Sequence, residues 1–232
     1  MKKYFGGLFF ILILIAVFSV SAATPTPKVE MNGVTVYSPY NHIKKDVVLV
    51  DVEAYFEVLN QDYKIDKTKK IVSFEEKTAP ISNYKEGYVA SVESLTNLVN
   101  EAGYTTVDPK YEDGSVYLLV LPKGVVKITP SVPKMGEHWA QPTDMPMGPI
   151  YGVEKGKLVF IEQMPAQELF TKGESVVNLN GMRGLPSPPI NHSNIEFQPL
   201  GHEGFEVPHY DIHHYFITPE ERDAIQGEMP PH

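Results

Sequence analysis

The feature that most constrains the fold is an alternation of polar and apolar residues near the end of the chain. The polar residues of one parity are His209, Asp211 and His213. The apolar residues of the other parity are Tyr210, Ile212 and Phe216. A period of two is typical of a half-buried β-strand, and Tyr, Ile and Phe favour strands. The pattern predicts a strand with a row of titratable, metal-ligating groups on one face.

The preceding stretch predicts an antiparallel partner for this strand. Asn194 and Glu196 alternate with Ile195 and Phe197, and turn residues follow in 199–204. The expected cross-strand neighbours are Glu196 with His209, Asn194 with Asp211, and His192 with His213. A slip by one residue would place apolar groups opposite the polar row, whereas a slip by two keeps the parity and remains open.

A metal site is one hypothesis for this hairpin, because five of the eight histidines lie within 23 residues, 192–214. Imidazole and carboxylate are ligands that suit divalent transition metals such as zinc or copper. On a strand His209 and His213 are about 13 Å apart, too far to share one ion easily. Asp211 would therefore need a neighbouring histidine and a further ligand from across the hairpin or from the loop. The candidate metal ligands are His192, Glu196, His202, His209, Asp211 and His213.

Two other interpretations are open at this point. The polar row could be a water-facing sheet surface, with His214 packed among aromatic residues, since antiparallel sheets commonly have one wet face. Alternatively, aromatic residues near this face could form a carbohydrate or peptide contact surface or a subunit interface. The aromatic residues in question are Trp139, Tyr151 and Phe205.

The first 23 residues have the layout of a cleavable secretory signal peptide. Lys2 and Lys3 precede an apolar run over 8–18, and small residues follow at 21–23. The chain has no cysteine, which excludes disulfides and thiol catalysis. We therefore expect a protein that is secreted or held in the cell envelope, with no integral membrane insertion after cleavage.

The charge balance indicates which classes of partner the chain is not expected to bind. Loss of Lys2 and Lys3 from the 20 basic residues leaves 18 against 29 acidic residues, a net charge of −11 with neutral histidines. A strongly acidic chain is not expected to bind nucleic acid or an anionic membrane surface.

The first half of the chain contains an internal repeat with a spacing of 40 residues. Residues 48–60 match 88–100, and in each copy a short strand meets a helix-capping residue, Asp51 or Ser91, before an amphipathic run. The repeat predicts a duplicated strand-helix-strand unit. With its Tyr-Lys-Ile-Asp and Tyr-Thr-Thr-Val-Asp turns, this pattern resembles the copper amine oxidase N-terminal (stalk) domain of secreted bacterial proteins. That resemblance implies a domain over 28–122 that carries neither the copper nor the quinone of amine oxidases.

The second half of the chain has a different sequence pattern. Prolines 122, 130 and 133 predict a linker over 123–133. The domain expected at 134–226 is a mainly antiparallel β sheet or sandwich that ends in a short helix, with Thr218 as its N-cap. The run from Gly201 to Phe216 resembles an uncharacterised β-rich domain of secreted bacterial proteins, which carries no activity to transfer. The whole chain is thus predicted to be α+β.

Two classes of function follow from these observations. The first is an exported, non-catalytic binding or structural protein, with a homo-oligomer and a cell-wall or carbohydrate contact as partner hypotheses. The alternative is a metal-binding protein or metal-dependent enzyme that uses the His/Asp/Glu face of the C-terminal hairpin. No Gly-x-Ser-x-Gly elbow or phosphate-binding loop occurs in the sequence, so serine-hydrolase chemistry is not expected.

The export prediction can be tested directly. N-terminal sequencing of secreted material should begin between residues 22 and 25, because the small residues at the end of the apolar run suit signal-peptide cleavage. An intact Met1 on membrane-bound protein would contradict cleavage.

Overall fold

A computed structural model describes residues 26–228, so the predicted signal peptide at 1–23 lies outside the described residues. The described chain is mostly β-strand with four short α-helices, so the α+β prediction is confirmed only in that the protein is β-rich with few helices. Between residues 26 and 228, no helix combines the length and the apolar character needed to cross a membrane.

The first half consists of short strands and two helices. The helices are α1 (Val52–Leu59) and α2 (Val92–Glu101). The strands are β1 (Lys28–Met31), β2 (Val34–Thr35), β3 (His42–Lys44), β4 (Val47–Asp51), β5 (Lys64–Asp66), β6 (Ile71–Phe74), β7 (Lys77–Pro80), β8 (Ser82–Tyr84), β9 (Gly87–Ser91), β10 (Thr105–Thr106), β11 (Lys110–Glu112), β12 (Ser115–Leu118) and β13 (Val120–Leu121). They form four sheets, with the strand orders β11-β12-β1-β2, β3-β4-β9-β8, β5-β6-β7 and β10-β13.

Both helices of the first half begin at the predicted capping residues. The Asp51 carboxylate accepts a hydrogen bond from the backbone N–H of Glu53 at 2.9 Å, and the Ser91 hydroxyl accepts one from Ser94 at 3.1 Å. These bonds satisfy backbone donors that have no partner within the helix. Each helix then buries one apolar face. The buried residues are Val52, Tyr55, Phe56 and Leu59 in α1, and Val92, Leu95, Thr96, Leu98 and Val99 in α2.

The second half forms one six-stranded sheet in which all neighbouring strands are antiparallel, with the order β14-β15-β16-β17-β19-β18. Its strands are β14 (Val126–Val132), β15 (Gly136–Ala140), β16 (Ile150–Glu154), β17 (Lys157–Gln163), β18 (His192–Gln198) and β19 (His209–Tyr215). The remaining helices are a 3-10 turn (Pro142–Asp144), α3 (Gln167–Thr171) and α4 (Pro219–Asp223). The terminal helix is confirmed with its full capping box, in which Thr218 and Glu221 each accept the other's backbone N–H.

Most of the stretch 123–133, which the prolines predict to be a linker, forms β14 in the structure. This strand pairs with β15, and its register shifts between Lys127 and Ser131. Pro130 lies inside that shift, on an edge strand of the sheet. A proline is tolerated there because neither an edge nor a bulge needs its missing N–H.

The predicted pairing of β18 and β19 has the correct parity but is displaced by two residues. The structure pairs Gln198 with His209, Glu196 with Asp211, and Asn194 with His213. His192 consequently lies opposite Tyr215 rather than His213. The loop at 199–208 is longer than a tight hairpin because it contains a separate turn, in which His202 and Phe205 form a β-bridge.

The predicted burial of the two faces of this hairpin is reversed. We call the face that carries His209, Asp211 and His213 the polar face, and these three residues are only 0%, 6% and 1% exposed. On the opposite face, Ile195 is 70% exposed and Phe197 is 42% exposed. The water-facing interpretation of the polar row is therefore wrong, as is the burial expected for those two apolar residues.

The reversal follows from what covers each side of the sheet. The largest hydrophobic cluster joins the first half to β16 and β17 through Tyr151, Val153, Leu158 and Ile161, and it contains no buried residue of β18 or β19. Two small apolar clusters adjoin the polar groups instead. One joins Phe160 and Tyr215 to Ile225 beyond α4, and the other brings in Phe205 and Met145 from loops. The division into two domains stays a prediction, since the largest cluster contains side chains from both.

A large-to-small change in α2 tests the core. Leu95 is fully buried, so Leu95→Ala should lower the free energy of unfolding by about 2 to 5 kcal/mol through lost burial and a residual cavity. Leu200→Ala is the matched control, because Leu200 is 86% exposed and should change little. Both are measured by denaturant unfolding, and equal midpoints for the two variants would contradict this packing.

Candidate metal centre

Three predicted ligands converge on the polar face, namely His202, His209 and Asp211, here called the His202 trio. The Nε2 atoms of the two histidines are 3.2 Å apart. Oδ1 of Asp211 lies 3.1 Å from Nε2 of His209 and 3.8 Å from Nε2 of His202. One ligand atom from each residue thus lies within 4.8 Å of the other two.

The backbone explains why these groups meet. His209 and Asp211 are two residues apart on β19, so their side chains leave the same face of the sheet. His202 arrives from the loop, where its turn is closed by a backbone hydrogen bond from Phe205 N–H to the His202 carbonyl at 2.9 Å. Gly201 precedes it with a φ of +69°, and a Cβ there would lie 2.3 Å from the Phe205 carbonyl oxygen. Only glycine fits that position.

Backbone carbonyls fix the tautomers of both imidazoles. Nδ1 of His209 lies 2.7 Å from the Val207 carbonyl oxygen, and Nδ1 of His202 lies 3.2 Å from that of Glu203. A carbonyl only accepts, so each Nδ1 carries a proton and each neutral ring has its lone pair on Nε2. Two facing lone pairs next to a carboxylate oxygen need a cation between them, either a proton or a metal ion.

Asp211 is held with one oxygen directed at the imidazoles. Oδ2 accepts a hydrogen bond from Nε2 of Gln198 at 2.8 Å, whereas the buried Oδ1 has no hydrogen-bond donor. Burial acts to raise the pKa of Asp211, but His202 and the Gln198 amide outweigh it, and the pKa lies below its usual value. The group is therefore an anionic ligand at neutral pH.

The spacing of the His202 trio suits a small transition-metal ion. Zinc bonds of about 2.0 to 2.1 Å in tetrahedral geometry place neighbouring ligand atoms about 3.3 Å apart. The trio's separations of 3.1, 3.2 and 3.8 Å bracket that value. Hydrogen bonds from the other nitrogen of each ring to a carbonyl are also typical of metal-ligating histidines.

A second set of titratable side chains lies beside the trio on the polar face, and we call it the Glu162 group. Its members are Glu162, His213, His138 and Glu196. Glu162 and His213 occupy paired positions on β17 and β19, with 3.3 Å between Oε1 and Nε2. The other Glu162 oxygen lies 3.9 Å from Nε2 of His138. Glu196 reaches Nδ1 of His213 at 3.5 Å.

The protonation of the Glu162 group is set by burial. Glu162 is 3% exposed, and burial raises the pKa of its carboxyl to about 7, against the opposing effect of His213. Burial would lower the pKa of His213, but the carboxylates of Glu162 and Glu196 outweigh it and raise the pKa overall. Glu162 and His213 can therefore share one proton.

Not all predicted ligands belong to one site. His192 stacks on Tyr215 with 4.8 Å between ring centroids, away from the His202 trio. Glu196 and His213 contact each other in the Glu162 group instead. The six candidate ligands therefore do not converge on one point, because the shift of two residues in register moves His192 and Glu196 along the hairpin.

Three contributors were not predicted from the sequence, namely Gln198, Glu162 and His138. Glu162 carried a usable signal, since it follows the apolar run 158–161 and a charged residue there is expected to be buried with a partner. His138 carries no such signal, since it is flanked by Glu137 and Trp139, and only the structure places it on the buried face of β15 with Gly136 and Ala140. Gln198 shares the parity of Glu196 on β18 and required the register before its role could be recognised.

The proposed aromatic contact surface is not formed. Tyr151 is 1% exposed, and Trp139 packs against the largest hydrophobic cluster. Phe205 instead packs on the His209 ring with a centroid separation of 4.5 Å. The three aromatic residues therefore belong to separate packing environments.

Comparisons with known proteins give no family. No protein-family model and no curated protein matches the chain. Among solved structures, the chain is similar to the crystal structure of a hypothetical protein from Thermus thermophilus, with 23% sequence identity and a TM-score of 0.38. The match covers 40% of this chain and 88% of that one. A likeness at this level identifies neither a fold family nor a function.

The coupling of His202 to Asp211 predicts a pH response in metal-free protein. Asp211 raises the pKa of His202 against the effect of partial burial. The pair should stabilise the fold fully below the ordinary histidine pKa of about 6.5, and this contribution should be lost as the pH rises through the higher folded value.

Asp211→Asn should lower the His202 pKa, as followed by NMR of the imidazole protons. Asp223→Asn is the control, because that exposed carboxylate pairs with Arg222 and Lys134 rather than with the trio. An unchanged His202 titration in Asp211→Asn would show that the pair is not coupled.

Proposed function

We propose that this chain is an exported metal-binding protein that holds a divalent transition metal, zinc or copper, in the His202 trio. The observation that carries the proposal is the buried Oδ1 of Asp211, which has no hydrogen-bond donor and faces two imidazole nitrogens. An isolated anionic oxygen in a buried position is costly unless a cation compensates it. The burial of the trio supports this role over a wet sheet surface.

A metal-dependent enzyme is the second candidate. Catalytic zinc sites typically combine three protein ligands with an open position for water or substrate, whereas structural sites use four. The trio supplies three ligands, and the buried Glu162 group lies on the same face. The non-catalytic role stays the first proposal, because neither the sequence nor the cluster identifies a substrate.

The proposed location and partners follow from the sequence. The signal-peptide layout supports secretion or the cell envelope, and the acidic net charge of −9 for the full chain disfavours nucleic acid. The exposed apolar side of β18 supports the homo-oligomer hypothesis, since Ile195 and Phe197 would gain burial in a subunit contact. A cell-wall or carbohydrate contact remains a further hypothesis.

For the first half, we propose a duplicated unit similar to the copper amine oxidase N-terminal domain. The same order of elements supports it, since α1 and α2 each follow a strand and each begins at a capping side chain. The unit would serve as a carrier or attachment domain for the metal-binding half, with no copper chemistry of its own.

Calorimetric titration of chelator-treated, tag-free protein with zinc, copper and nickel tests the proposed function. At pH 7.5 at least one ion should bind, and affinity should fall at pH 5.5 because ligand histidines must be neutral. Asp211→Ala should lower the affinity for at least one of these ions by more than about 100-fold, because it removes a direct ligand. Loss of a residue that only supports a ligand typically lowers metal affinity by about 10- to 100-fold.

Asp223→Ala is the matched control for this titration. It removes an exposed carboxylate that lies outside both groups, so it should leave affinity unchanged. Absence of binding at pH 7.5, or binding that responds neither to acid nor to Asp211→Ala, would exclude the site.

A further inference from the structure

We propose that the outer edge of β18 pairs antiparallel with the same edge of a second copy of this chain, which joins two six-stranded sheets across a two-fold axis. The proposal names the subunit contact for the homo-oligomer hypothesis. It does not depend on metal binding, because no member of the His202 trio belongs to β18. Metal-free protein is therefore expected to dimerise as well.

The two edges of the six-stranded sheet differ in how well they are protected against pairing with another chain. At one edge, β14 has a register shift between Lys127 and Ser131, and Pro130 lies inside it. Bulges, prolines and lysines are common devices that keep edge strands from pairing with other molecules. At the other edge, β18 is seven residues long, keeps one register along β19, and contains no proline or lysine. The edge of β18 is thus the one that can accept a further strand, and the protected edge of β14 would stop growth at a dimer.

The backbone groups of β18 alternate in direction between β19 and the free edge. The N–H of Tyr210 on β19 donates to the Pro165 carbonyl at 3.1 Å, on the side of β17. The odd-numbered residues of β19 therefore face β18, where they pair with the even-numbered residues. Within residues 26–228, the backbone groups of the odd-numbered residues of β18 have no other strand to pair with. These residues are Ser193, Ile195 and Phe197.

This alternation restricts the register of a symmetric pair. Hydrogen-bonded positions must join outward-facing residues, and a two-fold axis at Ile195 achieves this over the whole strand. Ser193 then lies opposite Phe197 of the second copy, whereas a shift by two residues would shorten the ladder. Asn194 lies opposite Glu196 of the second copy, and its amide can donate to that carboxylate, whose side chain is 52% exposed. No two like charges oppose each other in this register, which favours the pairing.

The apolar side of β18 supplies a second contribution. Ile195 is 70% exposed, and the ring of Phe197 packs on Tyr210 with 4.9 Å between centroids. Tyr210 in turn packs edge-on against Phe170 of α3 at 5.4 Å, and Phe170 is 53% exposed. A two-fold axis perpendicular to the sheet keeps this side of both copies on one face, so the two Ile195 side chains meet at the axis. The apolar groups of the two chains thus form one patch, and such patches commonly mark interaction sites.

Sedimentation equilibrium of chelator-treated, tag-free protein tests the dimer. Native protein should reach twice the monomer mass at concentrations up to about 100 μM. Ile195→Lys should halve that mass, because two like charges would oppose each other at the axis. Val177→Lys is the matched control, since Val177 is 71% exposed in a loop outside the sheet, and this variant should remain a dimer. Thermal unfolding of both variants checks that the fold is retained.

Hydrogen exchange of backbone amides, followed by NMR, distinguishes edge pairing from any other contact through the apolar patch. The amides of Ser193 and Phe197 should exchange slowly in native protein and quickly in Ile195→Lys. The amides of Asn194 and Glu196 should stay protected in both, because they bond to β19.

A monomeric native protein, an assembly larger than a dimer, or a dimer that persists in Ile195→Lys would overturn the proposal. A dimer in which Ser193 and Phe197 exchange as quickly as in Ile195→Lys would do the same, because the contact would then lie elsewhere. The proposed metal site fails separately, by the absence of ion binding in the calorimetric titration, and that result would leave the dimer unaffected.

Discussion

The burial of charged side chains on one face of the C-terminal sheet is the constraint on which the rest of this half depends. Moving an ionised carboxylate out of water costs several kcal/mol, unless opposite charge and hydrogen bonds compensate it. The Gln198 amide compensates one oxygen of Asp211, and the other oxygen faces two imidazole nitrogens with which it can share a cation. The loop at 199–208 contributes to this compensation, because it places the imidazole of His202 next to Asp211.

Aromatic rings pack against histidines of both the Glu162 group and the trio. Phe160 lies across Gly152 so closely that a Cβ there would be 2.2 Å from its ring. From this position the ring contacts both His138 and His213 edge-on. A glycine in a central strand usually weakens it, but here it lets an aromatic ring approach the backbone closely. Phe205 has the corresponding place beside His209.

The chemistry of the polar face depends on which cations it holds. With protons alone, the trio and the Glu162 group are clusters of buried histidine and carboxylate side chains. In the proposed metal-bound form the lone pairs of His202 and His209 would be the ligands, and the carbonyls of Glu203 and Val207 orient the two rings. The preorganisation visible at these atoms is the kind that metal sites require, because ligands held in place lose little freedom when an ion binds.

The sequence by itself determined the local structure. The alternation at 209–213 specified a strand and the parity of its ligands, and Asp51, Ser91 and Thr218 specified helix starts, because these signals act within a few residues. Only the tertiary structure decided which face of β19 is buried, since alternation is the same whether the polar or the apolar side is covered. It also decided the register and the pairing of Glu162 with His213, which joins positions 51 residues apart. Such contacts depend on how the sheet is ordered and on what packs over it, and no local pattern encodes either.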